Sequence, residues 1–217
     1  MDKKKLYFEG NGEEFVQGQL GVECPYPMQS VEELSVTGRL GEHGRVWVKG
    51  ILRHEAALEC IRHLGSRDPI LVYAENGEKR TTLFSGVITA VDISCREDVY
   101  SIAIEGSSWS SLLDYGEKCR SFPDGNETCA QVISEILSAY EKSYFLDTDH
   151  LSEQETGQLL LQYRETDWAF LKRLAAKLHT HLTADSKGEG PGFWFGLPKN
   201  RRKLESVGEV VLGSNSS

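Results

Sequence analysis

The stretch ILVYAENGEKRTTLFSGVITAVDI, residues 70–93, decides the fold. Asn76-Gly77 suits the positive-φ positions of a tight turn, and the flanking runs are rich in β-formers, so the segment reads as a hairpin with its register pinned at the turn. A lone hairpin is barely stable, and its apolar face needs further strands. RVWVKGIL at 45–52 supplies one, with Val46, Val48 and Leu52 opposite Trp47, Lys49 and Ile51, and Gly50 as a candidate bulge. VYSIAIEG at 99–106 supplies another, with Tyr100, Ile102 and Ile104 on one face. Strand character begins near Leu34, and HEAALECIRHLG at 54–65 places Ala57, Leu58, Ile61 and Leu64 on one helical stripe. The expectation is a mainly antiparallel β-barrel carrying one helix over residues 1–110, with the polar, Gly-rich residues 1–18 as an N-terminal arm.

Beyond residue 110 the pattern changes. SFPDGNE offers turn and cap residues before Val132, Ile133, Ile136, Leu137 and Tyr140, which follow helical spacing. LLLQY at 159–163 reads as a buried strand, and Thr166 or Asp167 can cap a helix that turns Phe170, Leu171, Leu174, Ala175 and Leu178 to a core. HTHLTAD and FWFGL at 193–197 return as strands around the turn KGEGPG. A smaller α+β domain over 111–197 follows, so the fold class is α+β, mainly β.

With 217 residues, 24 Lys and Arg against 33 Asp and Glu, and a formal charge of −9, the chain has globular composition and lacks the basic footprint of a nucleic-acid binder. The basic run Lys199, Arg201, Arg202 and Lys203 reads as a solvated loop or linker. No stretch approaches the ~20 apolar residues of a membrane span, and MDKKKLYFEG has no apolar signal core, so synthesis and assembly in the cytoplasm are expected. Cys24, Cys60, Cys95, Cys119 and Cys129 are an odd set without a C-x-x-C pair, which suits reduced, mostly buried thiols and no structural metal.

Catalytic patterns are tested one by one. His179 and His181 stand two apart on an expected strand and would share a face, but a metal needs a third ligand, from His150 or a distant carboxylate. His54-Glu55 opens like a zincin, yet Leu58 stands where the second histidine belongs. No nucleophile elbow surrounds Ser107, Ser108, Ser110 and Ser111, which flank Trp109, and no cysteine-protease signature surrounds any thiol. Trp168, Phe170, Phe193, Trp194 and Phe195 could line a sugar groove; core packing is expected for at least three, with Trp194 exposed. No catalytic, cofactor or metal residue is assigned, and no enzymatic activity is expected.

Three stretches in order resemble the VgrG and phage late-control-D hub family of contractile tails and type VI-like injection systems. They are GEHGRVWVKGIL at 41–52; LFSGVITAVDI at 83–93 running through VYSIAIEGSSWSSLLD at 99–114 into CRSF; and LLLQYRETDWAFLKRLAAKLHTHLTAD at 159–185 followed by FWFGLP. The third carries the structural motif Tyr163, Arg164, Glu165, Thr166, Asp167, Trp168, Phe170 and Leu171. The resemblance implies a tube-like barrel at 1–110 and an inserted α+β domain at 111–197. It also implies a second tube-like barrel, so that three chains present six barrels between a sixfold tube and a threefold spike. Residues 198–217 would be a linker or the start of that second barrel, and the expectation is either that the sequence is a fragment or a shortened product or that another chain supplies the second barrel. The implied role is a structural baseplate hub that self-associates, as a trimer in full-length members, and meets tail tube, baseplate and spike proteins within a phage-tail-like particle or injection apparatus. No nucleic-acid or membrane partner is expected. The rival readings are a small cell-wall or peptide hydrolase using His179, His181, Cys119 or a carboxylate pair, and a carbohydrate-binding module using Trp194 and Tyr163.

Overall fold

A computed structural model describes residues 19–53 and 68–198, apart from Gly77, Asp124 and Thr148. The expected arm at 1–18, the helix at 54–65 with His54, Glu55 and Cys60, and the basic run after Pro198 lie outside the described residues.

The first half is a six-stranded antiparallel sheet curled nearly into a barrel. Its strands are β1 (Gln19–Glu23), β2 (Met28–Thr37), β3 (Arg45–Leu52), β4 (Pro69–Asn76), β5 (Lys79–Arg96) and β6 (Val99–Ser108), in the order β1-β4-β5-β6-β3-β2. The β4–β5 hairpin forms, but it closes with Asn76 opposite Lys79 and Glu75 opposite Arg80, two residues from the register that an Asn76-Gly77 turn would set, since that turn would place Glu75 opposite Glu78. Along β3, Val46, Val48, Gly50 and Leu52 alternate inward, and with Ile70, Val72, Phe84, Ile88, Ile102 and Ile104 they surround one hydrophobic core. Burying such a set inside the curled sheet is the main stabilising contribution open to a domain of this size.

Gly50 is not a bulge. Its strand pairs with β6 without interruption, and the register shifts fall on the β2–β3 side, between Met28 and Ser30 and between Val31 and Glu33. Glycine is required for space, since a Cβ there would sit 2.5 Å from the Ser30 carbonyl oxygen. The long β5–β6 hairpin turns at Glu97 and Asp98, both at positive φ, with Arg96 opposite Val99. That is the backbone of a primed two-residue turn without glycine.

The second half is built around another core. Helix α1 (Cys129–Leu137) opens on a capping box in which the Thr128 side chain accepts from the Gln131 amide and the Gln131 side chain accepts from Thr128. Helix α2 (Asp167–Lys177) follows a two-stranded ribbon of β7 (Lys118–Phe122) and β9 (Leu160–Glu165). A three-stranded sheet of β8 (Tyr144–Leu146), β10 (Leu182–Ala184) and β11 (Gly192–Phe195) runs in the order β10-β11-β8. Phe122, Ile133, Ile136, Trp168, Phe170 and Phe193 meet at the centre, with Phe122 and Phe170 stacked at 5.6 Å between ring centroids.

LLLQY is not a buried strand. Leu160 and Gln162 point inward, whereas Leu159, Leu161 and Tyr163 are 57, 52 and 62% exposed. A ribbon covered on one face must alternate, and the polar Gln162 takes an inward position because a buried carboxylate awaits it there.

Candidate functional site

The segment Tyr163 to Leu171 assigns a separate physical task to nearly every residue. Tyr163 lies on the outer face of the ribbon opposite Cys119. Arg164 is the extra residue of a bulge, since Lys118 pairs with Glu165 and Cys119 with Tyr163, and it holds a left-handed φ of 48°. Glu165 accepts from Arg173 of α2 at 2.6 Å, and the same guanidinium donates to the Leu161 carbonyl at 2.6 Å, tying helix to strand. Thr166 caps α2 by accepting the Ala169 amide at 3.1 Å. Trp168, Phe170 and Leu171 are buried in the core.

Asp167 does not cap. It is fully buried and accepts four hydrogen bonds, from Lys118 at 2.6 Å, Arg120 at 2.5 Å, Tyr140 at 2.6 Å and Gln162 at 2.8 Å. Burial alone pushes its carboxyl up, but these donors outweigh it and hold the group below the usual carboxylate range. For Lys118, burial works against the charge, yet its bonds to Asp167 and Tyr140 raise its pKa. Sequence reasoning missed this cluster. Its legible signal was Lys118 and Arg120 at period two on one strand, a pair that can face inward only toward an acid.

A second polar row joins the two cores. His43, in the turn between β2 and β3, meets the Ser110 hydroxyl through Nδ1 at 2.9 Å and the Asp114 carboxylate through Nε2 at 2.8 Å. Ser110 meets Ser108 at 2.8 Å, and Ser108 accepts the Gly44 amide at 3.0 Å. Asp114 also accepts from the Thr166 hydroxyl at 2.5 Å, so the row ends at the cap of α2. The His43 ring leans on Trp168 at 4.6 Å, and the Trp168 indole N–H donates to the Gly41 carbonyl. Backbone bonds cross the joint from Gly41 to Leu182 and from Ser85 to Ser186. At Gly44 a Cβ would lie 1.9 Å from the Ser186 hydroxyl, so a side chain there would have to push that hydroxyl aside.

Serine, histidine and aspartate in a row suggest a hydrolase, but the geometry is not that of a nucleophile. Ser110 is fully buried, it meets Nδ1 rather than Nε2, and its oxygen is engaged by Ser108. Burial lowers the His43 pKa despite the Asp114 carboxylate, with Lys172 and Arg45 adding repulsion.

The other candidates are dispersed. His179 is not on a strand; it holds a left-handed φ of 54° in the turn that ends α2, while His181 lies just before β10. Both are exposed and, with Lys172, line a shallow cleft beside Leu40 and Gly41. His150 pairs with Glu153 at 2.8 Å. Among the described residues no group of three or more His, Cys, Asp and Glu is arranged to hold a metal. Among the described residues the thiols are less buried than expected: Cys95 and Cys119 are exposed, Cys24 is half-buried, and Cys129 alone is enclosed, where burial raises its pKa. Ser108 is buried with Ser110, and Trp109 donates to Ser85 at 2.9 Å. Trp194 is half-buried on β11 while Tyr163 stands on the separate β7–β9 ribbon, so the two are not on one sheet. Among the described residues no helix is long and apolar enough to cross a membrane.

Comparison with solved structures gives the same fold at low identity. A 43 kDa tail protein of prophage MuSo2 from Shewanella oneidensis aligns with a TM-score of 0.59 and 15% identity, over 81% of this chain and 52% of that one. A tail protein from Neisseria meningitidis aligns at 0.56 and 10%, over 81% and 49%. An Escherichia coli component of the type VI secretion system, described as structurally similar to bacteriophage T4 tail proteins, aligns at 0.55 and 18%, over 81% and 48%. The chain thus spans about half the length of these proteins. No curated protein matches it in sequence. The family model for the phage tail baseplate hub (GPD) matches residues 50–178, more than half of the 217, and the chain belongs to that family.

Proposed function

We propose that this chain is the tube-fold portion of a structural baseplate hub, joining tail tube to spike by symmetric assembly in a phage-tail-like particle or a contractile injection system. The observation that carries the reading is the barrel itself: its outer strands β1 and β2 each pair on one side only among the described residues, leaving two edges for neighbours. β2 carries Glu32 and Glu33, both within 3.6 Å of Lys49, so this edge discourages indiscriminate pairing and favours a partner that matches its charge. In a ring, edge meets edge head to tail, and closure fixes the number of barrels. Six copies of a one-barrel chain, or three of a chain with a second barrel, would match a sixfold tube.

The role inferred is mechanical, not catalytic, because the serine–histidine–aspartate row seen among the described residues has its serines buried and is used in the joint. Partners on this reading are further copies of the hub, the tail tube protein, and baseplate and spike proteins, assembled in the cytoplasm. Light scattering of the purified chain with and without the tube protein encoded beside it tests the proposal. Oligomers or a mixed complex are expected. A chain that stays monomeric in both, yet cleaves cell-wall material, would overturn it.

A further inference from the structure

We propose that His43 is a proton-sensitive latch between the barrel and the α+β domain, closed while its ring is neutral and weakened when the ring takes a second proton. One donor in the row has a fixed direction. The Gly44 amide can only donate, and it donates to Ser108. The Ser108 hydroxyl is then free to donate to Ser110, Ser110 to Nδ1 of His43, and Nε2–H of His43 to Asp114, which also takes the Thr166 proton. All donors run one way, from the barrel backbone to the cap of α2, and the order requires a neutral ring with its proton on Nε2.

A second proton on Nδ1 reverses the middle of the row. Ser110 must then accept from His43 and turn its own hydrogen to Ser108, whose hydroxyl already accepts the Gly44 amide and now loses its acceptor. Both serines are fully buried, so water cannot replace the lost partner. Every element packed against the ring bears on the outcome. Asp114 from the 3-10 segment Trp109–Asp114 attracts the proton, whereas Lys172 from α2 and Arg45 from β3 repel it. Trp168 and, from the loop after β10, Ser186 bring no charge to the joint. The ring is 15% exposed, and its burial lowers the pKa, so the neutral state dominates at neutral pH.

The sign follows. A histidine whose folded pKa lies below the ordinary 6.5 contributes stability that is complete above 6.5 and is lost as the pH falls from there toward the folded value. Because the row joins two cores without entering either, the loss should appear at the joint first.

The test uses the full chain. Imidazole NMR gives the titration of each histidine, and amide hydrogen exchange, corrected for intrinsic rate, gives protection at Gly41 and Ser85, whose amides cross the joint. His43 should titrate below the ordinary 6.5 of an imidazole. Protection at Gly41 and Ser85 should fall about tenfold for each pH unit between 6.5 and the folded value. His43→Gln can still accept at one end and donate at the other but cannot titrate, so joint protection should become independent of pH. If that variant does not fold, Ser110→Ala serves: without the hydroxyl that favours the neutral ring, the His43 titration should move up. His43 titrating at or above 6.5 overturns the proposal. So does joint protection that stays flat as the pH falls, or that keeps its pH dependence in His43→Gln.

Discussion

Asp167 and Arg120 meet at 2.5 Å beneath the β7–β9 ribbon, the aspartate side chain fully buried and the arginine side chain 24% exposed. Lys118, Tyr140 and Gln162 complete the shell, so one carboxylate fixes the ribbon, the end of α1 and the start of α2 relative to one another. Removing the acid strands two cations that remain partly solvated. Asp167→Asn is therefore expected to cost about 3 kcal/mol, the low end for breaking a buried pair. The pH dependence adds a second readout. The folded carboxyl lies below its ordinary 3.8, so its contribution is complete above pH 3.8 and is lost as the pH falls from there through the lowered value. Urea unfolding across the acid range should show a shallower loss of stability in Asp167→Asn than in the parent chain. Equal slopes would assign acid sensitivity to other groups.

Thr166 holds two roles with one hydroxyl, accepting the Ala169 amide and donating to Asp114. Loss of an N-cap threonine costs about 1 kcal/mol, and up to about 2 where the cap has further partners. Thr166→Ala should fall at the upper end in chemical denaturation and Thr166→Ser near zero. Similar losses for both would mean that the methyl group, not the hydroxyl, matters.

Arg164 occupies a left-handed backbone position that side chains tolerate at a cost of about 1 kcal/mol. Glycine relieves that cost but adds freedom to the unfolded chain. Arg164→Gly should be neutral or stabilising by up to about 1 kcal/mol, and Arg164→Val destabilising by at least as much, because a β-branched residue fits that region worst. Thermal unfolding of the two variants checks the order. A stabilised valine variant would show that the bulge does not carry this conformation in solution.

Much of the fold was legible because local rules and tertiary packing agree. The alternation Val46, Val48, Leu52 points to the pairing that forms, and the Asn76-Gly77 pair marks the β4–β5 hairpin although Asn76 itself ends a strand opposite Lys79. The cap at Thr166 was readable for the same reason. LLLQY misled because an apolar run does not say which face is covered, and the need of Asp167 for donors turned Gln162 inward and Leu161 outward. His179 left the expected strand because α2 runs on to Lys177 and closes through a left-handed residue, a position open to histidine but not specific to it. The β5–β6 hairpin was extended further than expected by a primed turn of Glu97 and Asp98 that carries no glycine signal. The His43 row was invisible for a simpler reason: its members lie 67 and 71 residues apart, and only the approach of the turn at Gly44 to the second half brings them together.

The central claim is that this barrel is one segment of a ring at the junction of tube and spike. Cryo-electron microscopy of the assembled particle, with this chain tagged, tests it most directly. The account predicts tagged six-stranded barrels in a ring coaxial with the tube, with β1 and β2 edges facing neighbouring barrels. Intact particles that lack the chain, or that carry it only as an isolated peripheral copy, would contradict it.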